Sequence, residues 1–211
     1  MGFAGFGDRL VDFYEGLEAD NSKAYWTDHK QVYEEHVRAP MRALLAELEP
    51  EFGAGKIFRP YRNLRFSADK TPYKTHCGGY TSGYYVQADS DGVMIAGGYY
   101  RMAGDQVNRY RVAVDEARRG ETLRNHLAQL RKMEFTTAGD QLATRPRGVP
   151  ADHPRLELLR HRSLYAWRRW PGEDFLLAPD LVEQVAKGWR ALTPLMEWLS
   201  DHVGPSDQPL R

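Results

Sequence analysis

The sequence predicts an α+β fold, with a small, mainly antiparallel sheet covered by helices in a single domain. Three observations carry this. Apolar residues recur at helical spacing at both ends of the chain. Two strand-like runs in the middle flank a hairpin-turn sequence. Helices and strands also come in blocks, without the alternation that parallel βαβ units require. With 211 residues the chain can bury a substantial core, and 42% hydrophobic with 27% charged residues is an ordinary globular balance.

The first helix is predicted by Phe6, Leu10, Phe13, Tyr14 and Leu17, spaced three and four apart. Asp8, Asp12 and Glu15 fall on its opposite face and read as a solvated surface rather than a metal site. Asp20-Asn21-Ser22 is a turn with helix-capping chemistry. A second periodic run carries Trp26, His29, Tyr33, Val37, Met41, Leu44, Leu45 and Leu48. Pro40 interrupts it and predicts a kink or two abutting helices, because proline lacks the helix N–H and crowds the preceding turn. Trp26, His29 and Tyr33 share one face, which either packs on the core or meets a ligand.

Farther on, Gly79 to Val86 and Val93 to Met102 read as two strands joined by the turn Asp89-Ser90-Asp91-Gly92. Tyr84, Val86 and Ala88 should face one side, Tyr85 and Gln87 the other. Gly97-Gly98 marks a bulge or a close approach by another backbone or a ligand. Asp105 should cap a helix with Val107, Tyr110, Val114 and Ala117, ending at Gly120. Leu123, Leu127 and Leu130 make another. A short strand and loop between 135 and 149, a helical turn near Leu156 and Leu159, and a strand from Ser163 to Trp170 complete the middle. The last helix, from about Pro179, carries Leu181, Val185, Trp189, Leu192, Met196 and Leu199, with Pro194 as a kink. The predicted domain covers residues 1–203, and 204–211 form a tail expected to fray.

Equal numbers of basic and acidic residues, 29 of each, argue against a generally nucleic-acid-coating or membrane-adsorbing surface. Cys77 is the only cysteine, which excludes an intrachain disulfide and a cysteine-based zinc site. No segment reads as a signal peptide or membrane span, so the expected location is the cytoplasm. Phosphate-loop, dinucleotide and HExxH signatures are missing, and no two histidines stand four apart on a helix. No metal site is predicted, and no cofactor is assigned.

The sharpest local departure from this even charge is KIFRPYRNLRFSADKTPYKTH, Lys56 to His76. It holds three arginines, three lysines and a histidine against one acid, Asp69. Arg59, Arg62 and Arg65 recur every third residue among Phe58, Tyr61, Leu64 and Phe66. Lys70, Lys74 and His76 follow around a turn. Guanidinium groups match carboxylate or phosphate oxygens with paired donors, lysines add point charges, and tyrosines offer flat surfaces. Arg59, Arg62, Arg65, Lys70, Lys74 and Tyr61 are therefore the candidate ligand-binding residues, with His76 the candidate acid or base. His76 and Cys77 are adjacent on an extended chain and point to opposite faces, which argues against a thiol–imidazole dyad.

The run FRPYRNLRFSADKTPYKTH resembles the signature of the DUF2461 family of bacterial and fungal proteins. The likeness extends through NSKAYWTDHKQVYEEHVRAP before it, GYYVQADSDGVMIAGGYYR after it and LATRPRGVPADHPRLELLRHRSLYAWRRW later. Asn63 departs from the pattern, which more often has an acid there, and the loop around Gly104 is poorer in proline. The resemblance implies one α+β domain and brings no established activity with it.

Two readings follow. In one, the Arg59–His76 stretch binds an anionic small molecule, with the protein acting as an enzyme on a phosphorylated metabolite or nucleotide. In the other, the protein is a non-catalytic nucleic-acid- or protein-binding module. There the cationic stretch is a structural network, its arginines stacking on aromatics and pairing with acids such as Glu34, Glu35 or Glu47. Nucleic acid is the less favoured partner, because the aromatic strands lack the order of the common RNA-binding sheet.

Overall fold

The structure, a computed structural model, describes residues 2–63 and 70–208. It has the expected α+β class. Among the described residues six strands form one antiparallel sheet, in the order β1 (Lys56–Ile57), β2 (Cys77–Thr81), β3 (Tyr84–Asp89), β4 (Gly92–Tyr99), β6 (Leu164–Pro171) and β5 (Thr136–Ala138). Backbone contacts gather into two compact units, Met1–Ile95 with Arg169–Gly188, and Ala96–Arg168 with Trp189–Arg211.

In the first unit α1 (Asp8–Ala19) buries Leu10, Phe13, Tyr14 and Leu17, while Asp8, Asp12 and Glu15 are exposed. Ser22 caps α2 (Lys23–Val32) by accepting from the Tyr25 N–H at 3.2 Å. The interruption expected at Pro40 takes a specific form. Helix α2 runs through a π-helical turn, Tyr33–Arg38, into α3 (Ala39–Phe52), and the Ala39 N–H reaches the Glu34 carbonyl five residues back. The wider turn just ahead of Pro40 accommodates a ring that would otherwise crowd the His36 carbonyl. Trp26 and Tyr33 pack in the core beside Phe13, and His29 stacks on Tyr25 with centroids 4.0 Å apart.

The run Gly79–Val86, expected as one strand, is two. Ser82 and Gly83 both have positive φ, 43° and 94°, as a two-residue type I′ hairpin requires, and β2 pairs with β3 around them. Ser82-Gly83 is a weaker turn signal than the run Asp89-Ser90-Asp91-Gly92, which does turn the chain between β3 and β4. Within β3, Tyr84, Val86 and Ala88 are buried whereas Tyr85 and Gln87 are half-buried, the alternation expected.

The second unit holds α4 (Gly104–Asp115), α5 (Ala117–Lys132), β5, the short α6 (Leu156–Leu159), most of β6 and the end of the last helix, Leu181–His202. Ala103, not Asp105, is the N-cap of α4. Asp105 lies in the first turn, paired with Arg109 at 3.0 Å and accepting from Ser206 at 2.6 Å. Gly120 does not end that helix. The break comes at Glu116, whose carboxylate accepts from the Arg118 and Arg119 N–H groups and starts α5. Gly120 is small because a Cβ there would lie 2.2 Å from the Val114 carbonyl oxygen. Gly98, at φ 138°, has a similar reason, since its Cβ would lie 2.4 Å from the Cα of Tyr165 on β6. The close approach inferred from the glycine pair is thus made by a neighbouring strand. No described helix is long and apolar enough to cross a membrane.

Candidate functional site

The described parts of the cationic stretch, 56–63 and 70–76, are two arms that pair with each other and extend the β1–β2 ladder. Lys56 and Ile57 face Tyr80 and Gly79, and the Phe58 N–H donates to the Gly78 carbonyl at 2.9 Å. Past a bend at Pro60 the arms pair again. Tyr61 bridges Tyr73, the Arg62 N–H donates to Pro72, and the Lys74 N–H donates to Pro60. The arms can bend and re-pair because prolines occupy positions whose carbonyls accept while no N–H is required of them.

Tyr73 stacks almost parallel on Trp26, with centroids 4.5 Å apart, and Tyr61 leans on both. The Asn21 side chain clamps Tyr73, accepting from its N–H at 3.0 Å and donating to its carbonyl at 3.1 Å. Phe58 stacks on Tyr80 at 4.6 Å and lies 6.0 Å from Tyr85, and the Lys74 ammonium sits 5.1 Å from the Phe58 centroid.

The candidate cations thus have different surroundings. Arg62 donates its Nε–H to the Tyr73 carbonyl at 2.9 Å, so it helps close the hairpin. Arg59 and Lys70 are exposed, as is Tyr61 at 48%. Arg65 lies outside the described residues. Lys74 is half-buried, and its pKa is lowered by burial first and then by Arg59 and Arg62. Among the described residues no carboxylate lies within ion-pair distance of Arg59 or Lys74. The three acids considered as partners are engaged elsewhere. Glu34 binds Arg38, Glu35 accepts from Gln31, and Glu47 accepts from the Phe3 N–H.

The strand register puts Cys77 opposite Ala88, which brings His76 alongside Asp89. The imidazole is half-buried, and its pKa falls to about 4. Burial is the main cause; Lys74, Arg62 and Arg169 add to it and Asp89 opposes it. His76 is therefore neutral at pH 7, with one ring nitrogen a donor and the other an acceptor. Neither nitrogen has a hydrogen-bond partner among the described residues. Cys77 turns the other way into the core, where burial pushes its thiol up to about 12 against the Tyr33 hydroxyl. That is an inert cysteine.

Sequence reasoning missed the network next to His76. Arg169 binds both oxygens of Asp89, at 2.7 and 2.9 Å, and the Asp91 N–H adds a third bond at 3.1 Å. Gln87 donates to Asp89 at 2.7 Å, which turns its carbonyl toward the Tyr85 hydroxyl, a donor at 2.9 Å. Asp89 had been read as part of a turn. The available signal was its place in the Tyr85, Gln87, Asp89 alternation, a polar face of one strand. Among the described residues no three of His, Cys, Asp and Glu converge as a metal site would need.

No curated protein matches the chain. The model of the family described as conserved hypothetical protein (DUF2461) matches residues 9–198, and the chain belongs to that family.

Proposed function

We propose that the hairpin Arg59–His76 binds a small anion through a phosphate or carboxylate group, with Lys74 and Arg59 as the principal charges. The observation that carries this is the state of Lys74. Its ammonium is half-buried, rests on Phe58, is repelled by Arg59 and Arg62, and has no carboxylate partner among the described residues. A partly desolvated cation in a positive field is costly, and an anion from solution offsets that cost. Lys70 is a further contributor, Tyr61 flanks the site, and Arg62 supports the hairpin as well as the field. His76 is suited to accept a proton or a hydrogen bond from the ligand, because it is uncharged at neutral pH. An enzyme acting on a phosphorylated metabolite here would use His76 as its base.

The test is a thermal-shift panel of pyrophosphate, sulfate and citrate. A ligand present at 100 times its dissociation constant stabilises by about 2.7 kcal/mol. At least one of these anions should raise the melting temperature of the wild type, and Lys74→Ala or Arg59→Ala should abolish the shift while keeping the wild-type circular dichroism. A shift that survives both substitutions, or no shift at all, overturns the proposal.

A further inference from the structure

We infer that the anion this hairpin takes is a nucleoside monophosphate, its base stacked on the exposed Tyr80–Phe58 pair and its phosphate held by Lys74 and Arg59. The inference rests on the anion-binding reading above and adds the ligand's other half. Phe58, just past β1, is 43% exposed and Tyr80 of β2 38%, an unusual amount of bare aromatic surface on adjacent segments. The two rings stack on each other, at 4.6 Å and 28°, as one aromatic unit that still keeps much of its surface exposed. The Lys74 ammonium approaches the same Phe58 ring. Charge and aromatic surface thereby lie side by side, whereas inorganic phosphate would use only the charge.

The platform is also braced. Tyr85 lies against Phe58 and is tied through Gln87 to the Asp89–Arg169 pair, which holds the ring orientation before any ligand arrives. Such preorganisation lowers the ordering cost of binding. Every base has a π-face, so the platform selects for an aromatic ring without choosing among bases.

The experiment compares AMP, ribose 5-phosphate and inorganic phosphate by calorimetry on wild type and on Tyr80→Leu, which keeps apolar bulk but removes the ring. AMP is expected to bind at least about tenfold more tightly than ribose 5-phosphate, within the range of one base–aromatic stack. Tyr80→Leu should erase that advantage and leave ribose 5-phosphate unchanged. Should that variant fail to fold, Tyr80→Trp serves instead and should strengthen AMP binding alone. Equal affinity for AMP and ribose 5-phosphate overturns this inference and leaves the anion site standing. Failure of all three ligands overturns this inference, and it overturns the anion-binding reading as well only if pyrophosphate, sulfate and citrate also give no shift. An eight-nucleotide single strand that binds more tightly than AMP, with a steep salt dependence, overturns it in favour of a strand-binding surface.

Discussion

Replacing His76 by glutamine should flatten the acid sensitivity of the fold. In the unfolded chain the imidazole takes up its proton near the ordinary 6.5, and in the folded protein only near 4. Between those values the unfolded state binds more protons, so stability rises with pH and is lost as pH falls through the window. The full difference corresponds to about 3 kcal/mol, of which about 2 kcal/mol is already lost at pH 5. The physical origin is burial, reinforced by Lys74, Arg62 and Arg169 and only partly offset by Asp89. Urea unfolding at pH 7.5 and 5.0 measures it. Wild type should lose about 2 kcal/mol more than His76→Gln over that interval. His126 and His161 also have lowered values, but both remain in the variant and cancel in the difference. Equal losses in the two proteins, or an imidazole resonance of His76 that titrates near 6.5, would refute the reasoning.

Three other substitutions probe the scaffold. The Tyr14 hydroxyl is buried without a hydrogen-bond partner among the described residues, so Tyr14→Phe should raise unfolding stability by about 1 kcal/mol, and a loss would show an unseen partner. Gly98→Ala forces a Cβ against the Tyr165 backbone at a positive φ; it should cost about 3 kcal/mol, and a wild-type melting curve would contradict that packing. Ser82→Asn places a residue more tolerant of left-handed backbone in the type I′ turn; it should stabilise by about 0.5 kcal/mol in urea titrations, whereas a loss would argue against that turn.

Much of the fold was legible because local chemistry specified it. The spacing of Leu10, Phe13, Tyr14 and Leu17 requires a helix buried on that face, and the run Asp89-Ser90-Asp91-Gly92 turns the chain between β3 and β4 as expected. Ser82-Gly83 was missed because a serine at positive φ is tolerated only where strand pairing enforces it. Gly120 was misread for a related reason. A glycine looks like a helix end in sequence, but here it answers to the Val114 carbonyl and Arg155, which arrive through folding.

The candidate site divides in the same way. The sequence by itself determined that positive charge and aromatic rings are concentrated between Lys56 and His76, since composition is a property of the chain. It also predicted that His76 and Cys77 diverge, as neighbours on an extended chain do. Only the tertiary structure decided which charges are satisfied. Arg62 meets the Tyr73 carbonyl because the hairpin closes, Glu34 is taken by Arg38 one helical turn away, and Lys74 is left over Phe58. Only the tertiary structure brought Asp89 and Arg169, eighty positions apart, beside His76. Pairing and burial depend on distances through space, and those are set by strand register and packing rather than by neighbours in the chain.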